Sequence, residues 1–204
     1  MNIDTFYQGL QKISEEKDIS KIEAFFLNSL EKADKEKDYS SYLTICNELI
    51  GFYQNASAYE QAFCAIEDMF LLMEELQMDE SEHFAAALIN AATVYLNAGN
   101  SRQAYEYYGR VLHMSSLGNE VTPAQYCVAL TGVGEYHYRN QNYVQALQYY
   151  ENALQEMTKH FGENISCVIL CDNCATICEL SGENEKQQYY LNRATEMKKK
   201  MESQ

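Results

Sequence analysis

Apolar side chains recur along this chain at intervals of three and four. Ile22, Phe25, Phe26 and Leu30 make one such stripe, and Leu88, Ala91, Ala92 and Tyr95 make another. That spacing is the signature of amphipathic helices with one buried face. No run alternates Val, Ile or Thr with polar residues, so strands are not expected. The pattern predicts ten helices, over 3–15, 20–36, 39–54, 58–76, 81–98, 101–115, 123–140, 143–160, 164–181 and 184–201. Helix starts are marked by a short polar residue with Glu or Gln three positions later, a pairing that satisfies the free amides of a first turn. Ser20-x-x-Glu23, Ser57-x-x-Glu60, Asn100-x-x-Gln103, Asn142-x-x-Gln145 and Asn184-x-x-Gln187 fit this form. Thr122-Pro123-x-Gln125 fits it too, with Pro at the first helical position, where its missing donor is harmless.

The helices repeat in pairs. Residues 88–95, Gly99-Asn100, Ala104 and Tyr107-Tyr108 align without a gap on residues 130–137, Gln141-Asn142, Ala146 and Tyr149-Tyr150, an offset of 42. Weaker copies lie on either side. Cys46, Leu49, Tyr53, Ala62 and Ile66 form one, and Cys171, Cys174, Ala175, Cys178, Gly182, Gln187, Leu191 and Ala194 the other. Degraded outer copies are expected of terminal repeats. The reading is a single domain of residues 1–204: an N-terminal cap hairpin over 1–37, then repeats over 39–80, 81–121, 122–162 and 163–204. Small residues such as Ala92, Ala104, Gly134 and Ala146 let paired helices approach, and Leu130, Tyr108 and Tyr150 fill the space beside them.

These residues resemble the tetratricopeptide pattern, W-x2-L-G-x2-Y, a turn glycine, then A-x3-F and a further Ala. Leu130, Val133, Gly134, His137, Tyr143, Ala146, Tyr150 and Ala153 occupy it in order. Leu88, Ala91, Ala92, Tyr95, Gly99, Ala104 and Tyr108 do so as well, with Val111 a poorer match. The period of 42, against the usual 34, is similar to the kinesin-light-chain type and to bacterial peptide-sensing regulators. HEAT-like repeats share the period but lack the Gly/Ala pattern with Asn-capped second helices. The resemblance covers about residues 39–201. It implies an all-α, right-handed superhelical solenoid of tandem antiparallel helix hairpins, with a concave face lined by the first helix of each pair. Together with the helical period it places Asn47, Asn55, Asn90, Thr93, Asn97, Thr131, Glu135, Tyr138, Arg139, Asn173 and Thr176 along that face as a candidate peptide-binding groove. An Asn amide donates and accepts at once and so suits the backbone of an extended guest.

Charge narrows the partner. Thirty acidic against fifteen basic residues give a net charge of −15, which disfavours nucleic acid and anionic membranes. Groove-type co-chaperones that grip a C-terminal carboxylate use Lys and Arg; here Arg139 alone qualifies. Glu48, Glu135, Asp172 and Glu179 favour a neutral or basic polypeptide segment. Lys198-Lys199-Lys200 is expected to be the solvated end of the last helix, where cations suit its dipole. Residues 1–10 carry Asp4 and no long apolar core, so a signal peptide is not expected. No run of eighteen apolar residues suggests a membrane span, and seven cysteines in helical, apolar company suit a reducing cytoplasm. Self-association through open ends is a further possibility.

Candidate chemistry is sparse. Cys167, Cys171, Cys174 and Cys178 form one stripe of one helix, but they spread over about 16 Å of helical rise, too far for a single tetrahedral ion. A core role is favoured, with metal or redox activity as the alternative. His83, His113, His137 and His160 stand on different helices, and His137 takes the place of a repeat aromatic, as a satisfied core or boundary histidine. No P-loop, dinucleotide turn or nucleophile elbow occurs. The expectation is a scaffold or adaptor without catalytic activity or cofactor. The rival reading is the sensor half of a peptide-responsive regulator.

Overall fold

The computed structural model describes residues 2–202; Met1, Ser203 and Gln204, which the 1–204 domain reading includes, lie outside the described residues. Ten helices follow one another: α1 (Ile3–Ser14), α2 (Ile19–Lys35), α3 (Tyr39–Asn55), α4 (Tyr59–Glu75), α5 (Glu82–Asn97), α6 (Ser101–Leu117), α7 (Pro123–Arg139), α8 (Tyr143–Phe161), α9 (Ile165–Leu180) and α10 (Asn184–Glu202). The described residues hold no strand. All ten predicted segments are present, with ends within one or two residues of expectation.

The tight turns share one device. A residue in the left-handed region closes one helix, and the amide after it bonds back to the carbonyl five positions earlier, satisfying an end that would otherwise be orphaned. These bonds run from Asp38 to Ala33, Ala58 to Tyr53, Asn100 to Tyr95, Asn142 to His137 and Glu183 to Cys178, at 2.8–2.9 Å. The left-handed residues before them are Lys37, Ser57, Gly99, Gln141 and Gly182. The connection from α2 to α3 therefore has the same geometry as those inside the repeats.

This device relocates several expected caps. Ser57 is itself the left-handed residue (φ 56°), and Ala58, which has no capping side chain, starts α4. Ser20 lies inside α2, whose cap is Asp18, accepting from the Lys21 amide at 3.2 Å. Asn184 is already the first residue of α10. Asn142 stands at the N-cap of α8 but makes no side-chain cap bond. Asn100 caps α6 through the Gln103 amide, and Thr122 with Gln125 forms the full reciprocal box at α7.

Two compact units divide the chain, one up to Gln77 and the other Met78–Gln204. In the first, α1 to α4 pack in sequence order. Phe6 stacks on Phe25 at 5.6 Å, Phe26 meets Phe52 at 5.5 Å, and Ile45, Ile66 and Met69 are sealed. In the second, α5 to α10 pack in order, with α5 also touching α7. Its core across α7–α10 joins Leu130, Tyr150, Leu154, Ile177 and Met197 with Cys167, Cys171, Cys174 and Cys178, so the cysteine stripe is core. Lys198–Lys200 form the solvated helix end expected, and Lys198 and Lys200 also make surface ion pairs with Asp172 at 3.3 Å and Glu163 at 2.7 Å.

Candidate functional site

Side chains of α5 to α9 border two adjoining depressions in the second unit. The larger, about 350 Å³, has apolar walls from Leu96, Val128, Met157, Ile169 and Leu170. Thr131, Glu135 and Asn173 supply its polar edge, and the rings of Tyr108 and Tyr150 line it too. Val128 and Ile169 are 42% and 54% exposed, so their apolar surface faces solvent. The smaller, about 220 Å³, is lined by Glu135, Tyr138, Tyr150, Asn173 and Thr176. Glu135, Tyr150 and Asn173 belong to both.

The helices fix these side chains. Glu135 and Thr131 are one turn apart on α7, and Asn173 and Thr176 three residues apart on α9, so each pair shares a face. The Thr131 and Thr176 hydroxyls donate to the Cys127 and Asp172 carbonyls of their own helices, at 2.8 and 3.0 Å, which locks their rotamers and leaves each oxygen able to accept. One Glu135 oxygen accepts from the Tyr150 hydroxyl at 2.9 Å, the other from Arg139 Nε at 2.6 Å. Burial, then the bond to Glu135, pushes the Tyr150 phenol up, further from ionisation. Tyr108, also raised by burial, packs its ring over Gly132.

The structure places the expected groove residues unevenly. Thr131, Glu135 and Asn173 converge on the larger depression, Tyr138 and Thr176 join the smaller, and Arg139 lines neither but pairs with Glu135. Asn90, Thr93 and Asn97 are exposed on α5 but line neither; α5 contributes Leu96 instead. In the first unit Asn47 is exposed on α3, and Asn55 borders a separate hollow of about 250 Å³ with Glu48, Gly51 and Phe52. Sequence reasoning missed Val128, Met157 and Ile169, which interrupt a polar helix face without breaking its period.

The cysteine stripe lies in the core and His137 among packed rings. Cys167, Cys171, Cys174 and Cys178 have no exposed surface, and burial pushes the Cys171 thiol up to about 11, against the thiolate form that metal binding requires. No three potential ligands cluster among the described residues. His137 lies parallel to Tyr149 at 5.5 Å and edge-on to Tyr105 and Tyr136 at 5.7 Å. It departs from the satisfied histidine expected: its buried Nδ1 lacks a hydrogen-bond partner, and burial lowers its pKa. The rings of Tyr105, Tyr136 and Tyr149 pack around it.

Layered helix hairpins of small and aromatic residues, opening onto a shallow trough, define a tetratricopeptide-like α-solenoid. No family model and no curated protein matches the sequence. Solved structures do. BtubC (BKLC) from P. vanneervenii is 19% identical over 99% of this chain and 82% of its own, with a TM-score of 0.83. A putative kinesin light chain with nearly identical TPR-like repeats, from Podosopora anserina, is 14% identical over 99% and 97%, with a TM-score of 0.76. MamA is 14% identical over 96% and 97%, with a TM-score of 0.69. At these identities the likeness is one of fold, and that fold is the all-α tetratricopeptide-like solenoid.

Proposed function

We propose that this chain is a non-catalytic interaction module that holds a neutral or basic polypeptide segment across α7 and α9. The observation that carries the reading is the pair of contiguous depressions, apolar along one stretch and polar along the next, both open to solvent. A guest side chain entering the larger one covers Val128 and Ile169 and gains about 25 cal/mol for each Å² of apolar surface removed from water. Asn173 pairs with a guest peptide unit through its amide, and Thr131 and Thr176 accept from guest donors, each bond contributing about 1 kcal/mol net. The sum suits micromolar binding of a segment that is released as readily as it is held. The excess of acidic residues across the molecule favours a guest without acidic groups.

The test begins with a displayed peptide library selected on the full chain. Affinities of the recovered peptides are then measured for wild type, Asn173→Ala and Ile169→Glu. Ile169 is exposed, so its substitution leaves the core intact. Asn173→Ala is expected to weaken binding about fivefold, and Ile169→Glu to abolish it. Peptides that bind both variants as well as wild type occupy some other surface, and the reading fails.

A further inference from the structure

The two depressions share Glu135, Tyr150 and Asn173, so a guest that enters one lies against the other. Along α7 the larger is lined by residues 127–135 and the smaller by 135–138; along α9 the ranges are 166–173 and 173–176. Both helices therefore run the same way past the site, and the smaller depression sits nearer both C-terminal ends. At 1.5 Å per residue the centres lie roughly 7–9 Å apart. Two residues of extended chain span about 7 Å.

Charge separates the two ends. Glu135 is the one ionisable carboxylate lining either depression among the described residues. It stands at the polar one, toward the C-terminal ends of α7 and α9, the negative ends of the two helix dipoles. Its present cation, Arg139, does not line the smaller depression, and the pair is open to water, with side chains 50% and 31% exposed. A pair so exposed is weak and yields to a competing cation. The Tyr150 hydroxyl keeps the carboxylate in place when Arg139 swings away.

Resting on the peptide-binding reading above, we infer that the site recognises an extended segment carrying an apolar side chain at one position and Lys or Arg two residues from it. The apolar side chain fills the Leu96–Val128–Ile169 depression. The cation displaces Arg139 and binds Glu135. The spacing follows from the strand period, in which alternate side chains share a face.

An array of synthetic octapeptides in a Gly/Ser background, with leucine or serine at the fourth place and lysine, glutamate or serine at the fifth, sixth or eighth, tests this against the full chain. Wild type should retain best the peptides that carry leucine at the fourth place and lysine at the sixth. Glu135→Gln, which can still accept from Tyr150, should lose the preference for lysine over serine, about threefold for a pair this exposed, and keep the preference for leucine. Ile169→Glu should lose the preference for leucine. Selection for lysine that survives in Glu135→Gln, or that ignores the place of the lysine, overturns this inference but leaves peptide binding intact. Retention unaffected by Ile169→Glu, or no retained peptide at all, overturns the binding reading and this inference with it.

Discussion

Gly109 and Gly132 both stand inside helices, yet their surroundings give opposite expectations. A methyl group added at Gly109 meets nothing within 4 Å, whereas at Gly132 it falls 2.3 Å from the Tyr108 ring. Gly109→Ala should therefore stabilise by about 1 kcal/mol through helix propensity alone. Gly132→Ala should destabilise by about 1–3 kcal/mol despite the same gain, because the Tyr108 ring must be displaced. Thermal melts of the two variants should move in opposite directions. The repeat pattern made Gly134 legible, since it recurs beside Tyr150, but not Gly132, whose constraint comes from the preceding hairpin. His137 gives a second expectation. Its folded-state pKa is depressed, so the unfolded chain binds a proton first as pH falls below about 6.5. Stability is then fully present above that pH and declines on acidification toward the folded value. Melts at pH 7.5 and 5.5 should show a smaller difference for His137→Phe than for wild type; an equal difference assigns the pH dependence to other groups.

Helix existence was legible because most of the ten helices, 12–19 residues long, carry an apolar stripe of unambiguous period, while α9, apolar on nearly every side, was legible from the repeat. Helix starts were less so. The motif of a short polar residue with Glu or Gln three positions later occurs at Ser20, Ser57 and Asn184 without capping anything, because the turn geometry had already set the boundary. The left-handed residue decides, and Lys37, Ser57 and Gln141 take that conformation without being glycine, so composition conceals it. Two caps that align in the repeat differ in their bonds: Asn100 accepts from the Gln103 amide, while the Asn142 side chain makes no cap bond. Asn100→Ala should cost about 1 kcal/mol. Asn142→Ala should cost only a few tenths, because no such bond is lost. Equal losses in denaturant titrations would show that position, not the bond, stabilises these starts.

For the molecule as a whole, the periodicity announced stacked hairpins, and solved folds with the same arrangement agree. The trough was half legible. Thr131, Glu135, Tyr138, Asn173 and Thr176, which line the depressions, were expected on one face from the tetratricopeptide resemblance together with helical phase. The apolar wall did not, because an exposed Ile169 and a buried Ile177 look identical in a sequence. The unit that carries the trough has its own continuous core through α7–α10. Residues 78–204 expressed alone should therefore keep a helical circular dichroism spectrum and melt in one cooperative transition; a featureless melt would show that this unit needs the rest of the chain.

Six of the seven cysteines are sealed inside helices, and Cys64 alone faces water. The chain thus carries its own clock for breathing motions. A maleimide added to the native protein tags α4 at once. Thereafter each new tag, located by mass spectrometry of the digested chain, dates the moment when α3, α7 or a successive turn of α9 first opens to solvent.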